Sequence, residues 1–193
     1  YNTDGTGEQK ITASDGADND RFGESVAMSD TKVIVGAPYD DDYRGAVYVY
    51  NTDGTGELRI TASDRAQYDR FGYSVAVTDT KVVVGATYND DPNNSGSVYV
   101  YNTDGTGEVK ITASDGADND NFGMSVAMSD TKVVVSHSMN KPIGVVYVYN
   151  TDGTGELKIQ DPTGNIYEGF GLSVAVSDTK VVVGAYADDD AGS

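Results

Sequence analysis

Residues 45–56 read Gly-Ala-Val-Tyr-Val-Tyr-Asn-Thr-Asp-Gly-Thr-Gly, an alternation of valine and tyrosine that runs into a turn sequence. Alternating β-branched and aromatic residues favour a strand, and Asn, Asp and Gly tolerate the positive φ of tight turns. The second half of this stretch, Tyr-Asn-Thr-Asp-Gly-Thr-Gly, recurs from Tyr1, Tyr50, Tyr101 and Tyr149. A repeated strand-and-turn unit therefore organises the whole chain.

A Phe-Gly pair recurs in the same phase, at intervals of about 50 residues, beginning at Phe22, Phe71, Phe122 and Phe170. A unit of that size is too small to bury a core alone and must pack against its neighbours. The sequence therefore predicts one repeat array over residues 1–193. Its units span approximately residues 22–70, 71–121 and 122–169, with partial units at 1–21 and 170–193.

Each unit contains four segments with strand character. In the first unit, Ser25–Met28 is short, and Lys32–Ala37 is a nearly continuous apolar run typical of a strand covered on both faces. Residues 46–50 alternate with period two, and residues 57–61 place Arg59 at their centre, as expected for an outermost edge strand. Helix signals are absent. The predicted fold class is all-β, with four-stranded antiparallel units of the size of a β-propeller blade.

The chain resembles the FG-GAP repeat, the blade unit of integrin α-subunit propellers and of many microbial surface proteins. The resemblance rests on Phe22-Gly23, Gly36-Ala37-Pro38 and the run at 45–50, whereas the third copy has Ser136-His137 in place of Gly-Ala. Integrin-like repeats carry a calcium loop between the first two of these motifs. Here that place holds only Ser29-Asp30-Thr31, and one carboxylate cannot supply six to eight oxygen ligands. Asp30 and its copies are expected to accept backbone N–H groups in their own turns.

Net charge restricts the partners. The chain carries a formal charge of −18, from 31 acidic and 13 basic residues. This balance argues against nucleic acid or anionic lipid as a partner and favours cations and an extracellular or cell-surface setting. Cysteine is absent, which excludes a disulfide scaffold and a thiol nucleophile. No apolar run approaches the roughly 20 residues of a membrane-spanning helix, so membrane insertion is not expected.

Two acidic loops are candidate Ca²⁺ sites, because carboxylate oxygens are the ligands that calcium prefers. The alternative for both is a solvated acidic loop. The loop after the second strand contributes Asp40, Asp41 and Asp42, with Asp188, Asp189 and Asp190 in the last copy. The loop before Phe-Gly contributes Asp15, Asp18 and Asp20, repeated as Asp115, Asp118 and Asp120.

Tyrosines fall into two classes. Those in the loops are candidates for ligand recognition: Tyr39, Tyr43, Tyr68 and Tyr88. Those in the third strand, such as Tyr48 and Tyr50, are expected to pack between neighbouring units or on the outer sheet face, with sugar stacking as the alternative. The single histidine, His137, has no second nitrogen or sulfur ligand beside it in sequence and is interpreted as a chance surface residue.

Four units are the lower limit for a closed propeller. Either residues 8–12 form the strand that completes the sheet begun by residues 173–185, or the chain is one part of a longer array. We favour a ring of seven or eight blades, completed by further repeats or a second copy, over a closed four-bladed monomer.

The expected function is a non-enzymatic, extracellular adhesion or structural surface-assembly module with a protein or glycan partner, possible Ca²⁺ binding and no catalytic residues. A lectin-like glycan-binding propeller is the alternative. A hydrolase is disfavoured, since its acidic pair is normally unique whereas these carboxylates are repeated.

Overall fold

The computed structural model describes residues 1–89, 95–137, 144–162, 164 and 169–185. Within those residues the chain forms strands and one short helical turn. The first repeat contains β1 (Ser25–Met28), β2 (Lys32–Ala37), α1 (Asp40–Tyr43), β3 (Ala46–Asn51) and β4 (Leu58–Ile60). The second contains β5 (Phe71–Val77), β6 (Lys81–Ala86), β7 (Ser97–Asn102) and β8 (Val109–Ile111). The third contains β9 (Val126–Met128), β10 (Lys132–Ser136), β11 (Val145–Asn150) and β12 (Leu157–Gln160), and β13 (Phe170–Val176) and β14 (Val181–Ala185) follow.

The strands form antiparallel sheets in the predicted order. Three sheets have four strands each, β1-β2-β3-β4, β5-β6-β7-β8 and β9-β10-β11-β12, and β13-β14 form a two-stranded sheet among the described residues. Within each sheet, every strand pairs with the next one along the chain, as when Val35 lies opposite Tyr48. The prediction of a four-stranded unit with its basic strand at the sheet edge is confirmed.

The core lies between neighbouring blades rather than inside any one sheet. Ile34 and Val49 of the first blade cluster with Phe71, Val82 and Tyr99 of the second. Phe71 is fully buried, with its ring edge-on to Tyr99 at a centroid distance of 5.5 Å. The prediction that the strand tyrosines pack between units is confirmed, and each repeat buries apolar side chains against its neighbour.

The recurring glycine before each third strand marks a close contact between blades. Gly45 pairs with Phe71 of the next repeat in an isolated parallel bridge, and Gly96 pairs with Phe122 in the same way. A Cβ on Gly45, whose φ is +81°, would overlap the Phe71 carbonyl oxygen. The glycine is therefore required by a positive φ and by a backbone contact at once.

Two expectations about local structure are wrong, one for residues 8–12 and one for the hairpin aspartates. Residues 8–12 form no strand, and they lie along the first blade instead of closing β13-β14. The acidic loop after β2 contains the turn α1, in which Asp41 and Asp42 adopt left-handed φ values of 49° and 58°. The hairpin aspartates do not satisfy their own turns: the Ser29 hydroxyl accepts the Lys32 N–H at 3.2 Å and the Thr31 N–H at 3.3 Å.

Two of the four hairpin aspartates, Asp79 and Asp178, instead connect neighbouring blades. One carboxylate oxygen of Asp79 accepts hydrogen bonds from the Ser29 hydroxyl at 2.7 Å and from the Thr31 N–H at 3.1 Å and hydroxyl at 2.9 Å. These bonds hold the pKa of Asp79 below its ordinary value, because they stabilise the ionised form. Asp178 accepts from the Thr131 hydroxyl at 3.1 Å in the same manner.

Candidate binding face

One buried polar network is built around Tyr48 of β3. Its hydroxyl lies 2.8 Å from a carboxylate oxygen of Asp15 and 2.8 Å from one of Asp40. Arg59 of β4 lies 3.3 Å from Asp15 and also contacts Asp40, which is only 5% exposed. The guanidinium therefore neutralises two of the carboxylates that the sequence suggested as calcium ligands.

The same arrangement recurs in the next two repeats. The Tyr99 hydroxyl donates to Asp64 at 2.8 Å, and the Lys110 ammonium contacts the other oxygen of Asp64 at 2.7 Å. Partial burial works against ionisation of Asp64, but the bonds from Lys110 and Tyr99 outweigh it and keep its pKa below the ordinary value. Tyr147 and Lys158 bind Asp115 at 2.8 and 3.0 Å. In the first three blades, the edge cation thus anchors the segment that precedes the blade.

A second contact of this kind uses the glutamate after each Thr-Gly turn, which sequence reasoning missed. Glu57 accepts the Ser14 N–H at 3.0 Å and the Tyr50 hydroxyl at 3.0 Å. Glu108 binds Ser63 and Tyr101, and Glu156 binds Ser114 and Tyr149. The signal was present, because this glutamate and the Ala-Ser pair that it contacts both recur in register.

The four loop tyrosines come together with two arginines in one continuous surface, which we call the Tyr/Arg strip. It consists of Arg21, Tyr39, Tyr43, Tyr68, Arg70 and Tyr88. The Tyr43 ring lies 4.8 Å from Tyr39 and 5.5 Å from Tyr68, centroid to centroid. The Arg70 guanidinium carbon lies 5.3 Å from the Tyr39 ring centre and 4.3 Å from that of Tyr88.

Local backbone geometry presents the strip to solvent. Tyr43 ends the turn α1 with a φ of 67°, and Tyr68 has a φ of 78° in the turn before Phe71. The Arg70 N–H donates to the Tyr43 carbonyl at 2.9 Å, which fixes one loop against the other. As a result Tyr43 is 40% exposed and Tyr68 is 56% exposed.

Sequence reasoning missed both arginines of the strip. Each stands directly before a Phe-Gly pair, where the third repeat has Asn121 and the fourth has Gly169. Stacking of a guanidinium on an aromatic face is favourable, and Arg21 lies 4.0 Å from the Tyr39 ring centre. Departure from the repeat pattern was the available signal, since the strip spans only the first two repeats.

Next to the strip lies an acidic cleft of about 560 Å³. It brings together the two acidic loops of the first repeat and is lined by Ala17, Asp18, Asn19, Asp20, Arg21, Tyr39, Asp41, Asp42 and Tyr43. Asp18 and Asp42 are exposed. Asp20 accepts the Ala17 N–H at 2.6 Å, and Asp41 lies 3.1 Å from Arg65. The cleft is therefore polar and solvent-accessible, with two of its four carboxylates already engaged.

The remaining candidate ligands do not converge on one point. Asp118 is exposed, and Asp120 is buried and accepts the Ala117 N–H at 2.8 Å. Asp188, Asp189 and Asp190 lie outside the described residues. In the part of the chain that the structure describes, no group of three or more His, Asp or Glu side chains is placed to hold a metal ion. Those carboxylates do not fit a calcium site, and calcium binding stays a prediction.

His137 is not a surface residue. It follows β10, is 5% exposed and lies with its ring 6.1 Å from that of Tyr147. The imidazole occupies space at a blade boundary where the other repeats have the alanine of Gly-Ala. The interpretation as a chance surface histidine is therefore wrong about its position.

A family model described as FG-GAP repeat matches residues 6–50, 55–101, 106–149 and 154–193. The chain belongs to the FG-GAP repeat family. The first three FG-GAP matches each begin near the fourth strand position of one blade and end at the third strand of the next, so that they cross a blade boundary. Together with the antiparallel four-stranded sheets, this membership makes the chain a β-propeller array.

Among solved structures, this FG-GAP chain is similar to a chain from "Crystal structure of Nidogen/Laminin Complex". The two are 12% identical, the TM-score is 0.48, and the match covers 83% of this chain and 71% of that chain. A search of the described residues finds no helix with the length and apolar character to cross a bilayer.

Proposed function

We propose that this FG-GAP array is a non-enzymatic module of an extracellular or cell-surface assembly, and that its Tyr/Arg strip binds a protein partner. The observation that carries the proposal is the strip itself. Two exposed tyrosine rings and two stacked arginines from adjacent repeats form one surface that lies outside the buried clusters between blades.

The composition of the strip suits a protein interface. Tyrosine and arginine are enriched among residues that dominate binding energy, and tyrosine offers a large contact area with few rotatable bonds. Stacking on Tyr39 and Tyr88 restricts Arg70 before binding, which lowers the entropy that the side chain loses on contact. A rigid, pre-formed aromatic surface on loops is the usual form of a recognition site on a repeat scaffold.

Charge favours a partner with basic residues beside the contact. The acidic cleft lies against one end of the strip and carries Asp18 and Asp42 exposed to solvent. With a net charge of −18, the field of the whole chain attracts positive surfaces and repels nucleic acid. An acidic repeat module with loop recognition is consistent with adhesion outside the cell.

A lectin-like function is the second candidate, and one observation favours it. The exposed rings of Tyr43 and Tyr68 are inclined by 39° beside a cleft of about 560 Å³. Aromatic faces next to hydrogen-bonding carboxylates can hold a sugar ring, and a cleft of this volume is in the usual range for a small ligand.

The experiment is a binding screen of the purified chain against immobilised extracellular proteins and a glycan array, each in calcium and in chelator. The proposal expects saturable binding to a protein with a basic surface, lowered at least tenfold by combining Tyr43→Ser with Tyr68→Ser. Tyr1→Ser removes a 78% exposed tyrosine outside the strip and serves as the matched control. Binding only to glycans would replace the first candidate with the second. Protein binding that the strip variant leaves unchanged would refute the strip as the site.

A further inference from the structure

A small cavity lies where the second repeat meets the third. It has a volume of about 90 Å³ and is lined by Arg70, Tyr73, Thr87, Tyr88, Asn121 and Met124. Arg70 and Tyr88 also belong to the Tyr/Arg strip, and the Arg70 guanidinium carbon lies 4.3 Å from the Tyr88 ring centre. The cavity therefore adjoins one end of the strip, within reach of a partner that contacts the strip.

Three side chains that line the cavity each carry a buried polar atom without a hydrogen-bond partner among the described residues. These atoms are Nε of Arg70, Oγ1 of Thr87 and Oδ1 of Asn121. Thr87 is only 2% exposed, so its hydroxyl is shielded from bulk water. A buried polar group without a partner destabilises the fold, and three of them around one cavity call for a ligand that supplies the missing bonds.

This combination of side chains is not a product of the repeat pattern. At the boundary between the first and second repeats, Pro38 takes the place of Thr87, and Arg70 takes the place of Asn121. Proline has no hydroxyl, and a guanidinium cannot accept a hydrogen bond. At the boundary between the third and fourth repeats, Gly169 takes the place of Asn121. The cavity departs from the repeat in the same way as the Tyr/Arg strip beside it.

The three polar groups define the chemistry of the ligand. The Arg70 N–H only donates, the Asn121 oxygen only accepts, and the Thr87 hydroxyl does either. A carboxylate would suit Arg70 but would face the Asn121 oxygen, and an ammonium would suit Asn121 but would face Arg70. A carboxamide suits all three, because its oxygen accepts from Arg70 and Thr87 while its NH₂ donates to Asn121.

The size of the cavity agrees with this chemistry. Its volume of about 90 Å³ holds about three water-sized groups, which a carboxamide supplies as its carbon, oxygen and nitrogen. The side chains of Tyr73, Tyr88 and Met124 add apolar surface for the methylene groups that carry the amide.

We propose that this cavity binds the side-chain amide of an asparagine or glutamine of the protein partner. The inference rests on the proposed function for the existence of that partner, and it adds the residue type that the partner presents beside the strip. Because the three polar atoms are shielded, binding requires that a side chain in the cavity wall turn aside. Met124 is half-buried, unbranched and flexible, and it is the wall residue suited to that movement.

NMR of the whole isotope-labelled chain, titrated with the N-acetyl methylamide of glutamine, tests the amide chemistry without the partner. Saturable shifts are expected for the Thr87 N–H and for the side-chain NH₂ of Asn121. The corresponding derivatives of glutamate and methionine carry a carboxylate or a thioether instead, and each should bind about tenfold more weakly or worse. Stronger binding of the glutamate derivative, equal binding of all three, or no shift at Thr87 and Asn121 overturns the proposal.

Two variants of Thr87 separate binding from folding. Thr87→Val removes the hydroxyl and keeps the shape, and it should weaken binding of the glutamine derivative by about tenfold, whereas Thr87→Ser keeps the hydroxyl and should bind like wild type. Since the hydroxyl has no partner among the described residues, Thr87→Val should leave the melting temperature unchanged or raise it. A lower melting temperature would show that the hydroxyl stabilises the fold, and it would overturn the proposal.

Failure of this inference can be told apart from failure of the proposed function. Tyr43→Ser combined with Tyr68→Ser changes no residue that lines the cavity, and this variant should bind the glutamine derivative like wild type. Partner binding that depends on the strip, in a chain that ignores the derivative, would retain the proposed function and refute the amide pocket. Binding of the derivative by a chain that captures no protein would do the reverse.

Discussion

The strand tyrosines and the loop tyrosines of this chain are the same residue in two opposite situations. Tyr48, Tyr99 and Tyr147 are at most 1% exposed, and each hydroxyl binds an aspartate that an edge cation also contacts. Tyr43 and Tyr68 are 40% and 56% exposed and contact other rings. The strand tyrosines, which recur from repeat to repeat, have their hydroxyl groups hydrogen-bonded within the fold. The loop tyrosines, whose positions change between repeats, face solvent and are available for a partner.

Alkaline pH should separate the two classes most strongly. Burial, followed by hydrogen bonds to carboxylates, raises the pKa of Tyr48, Tyr50, Tyr99, Tyr101, Tyr147 and Tyr149 above the usual value for tyrosine. A raised folded-state pKa contributes stability that is complete below the unfolded pKa of about 10 and is lost as the pH rises beyond it. We therefore expect cooperative unfolding between about pH 10 and pH 12.

Circular dichroism and tyrosinate absorbance, followed along the same pH titration, measure this transition. The buried tyrosines should ionise together with the loss of β-structure. Gradual ionisation of all the tyrosines in a chain that stays folded would show that the strand tyrosines are not held as the structure places them.

Removing an aromatic ring from a complete blade boundary should have the next largest effect. Phe71→Ala deletes a fully buried ring that contacts Tyr99 and Tyr101, and it should cost about 3–5 kcal/mol of unfolding free energy. Phe22→Ala is the matched variant in the first repeat, where the ring is half-buried, and it should cost roughly half as much. Urea unfolding compares the two. Equal costs would mean that the first blade is covered as completely as the second.

The repeat pattern could predict the fold because the physics that builds a blade is local and periodic. Val/Tyr alternation, the Asn-Thr-Asp-Gly turn and the apolar run at Lys32–Ala37 placed the strands of the first repeat to within one or two residues. Contacts between repeats were harder. The bonds from Asp79 to Ser29 and from Asp15 to Arg59 cross about 50 residues of sequence, and no pattern in one unit shows which neighbour a carboxylate reaches.

The residue types of the candidate site could be predicted from the sequence, but the contacts between repeats that assemble it could not. Loop tyrosines could be named from exposure-prone positions, but their assembly into one strip depends on the positive φ of Tyr43 and Tyr68. The acidic loops suggested calcium because sequence shows the carboxylates and not their partners. Arg59, Arg65 and the backbone N–H of Ala17 engage several of them.

Removing the hydroxyl of one strand tyrosine should lower the free energy of unfolding by less than removing a buried ring does. It should lower it by more than changing a loop tyrosine does. Tyr99→Phe leaves Asp64 with Lys110 alone and should lower the unfolding free energy by about 1.5 kcal/mol. Asp64→Ala should be non-additive with it, since both changes remove the same bond. Tyr68→Phe is the control, with an expected change near zero. Additive effects in the double variant would show that the Tyr99–Asp64 bond contributes nothing.

Substitutions in the Tyr/Arg strip should have the smallest effect on stability. Tyr43→Ser combined with Tyr68→Ser removes two exposed rings that lie outside the buried clusters between blades, so the free energy of unfolding should change by about 0.5 kcal/mol or less. Removing a side chain that stabilises the fold lowers the free energy of unfolding by more than this amount, whereas removing a side chain that only contacts a partner does not. A large loss of stability would place Tyr43 and Tyr68 with the strand tyrosines, as part of the packing, and would leave the array without a recognition surface on its loops.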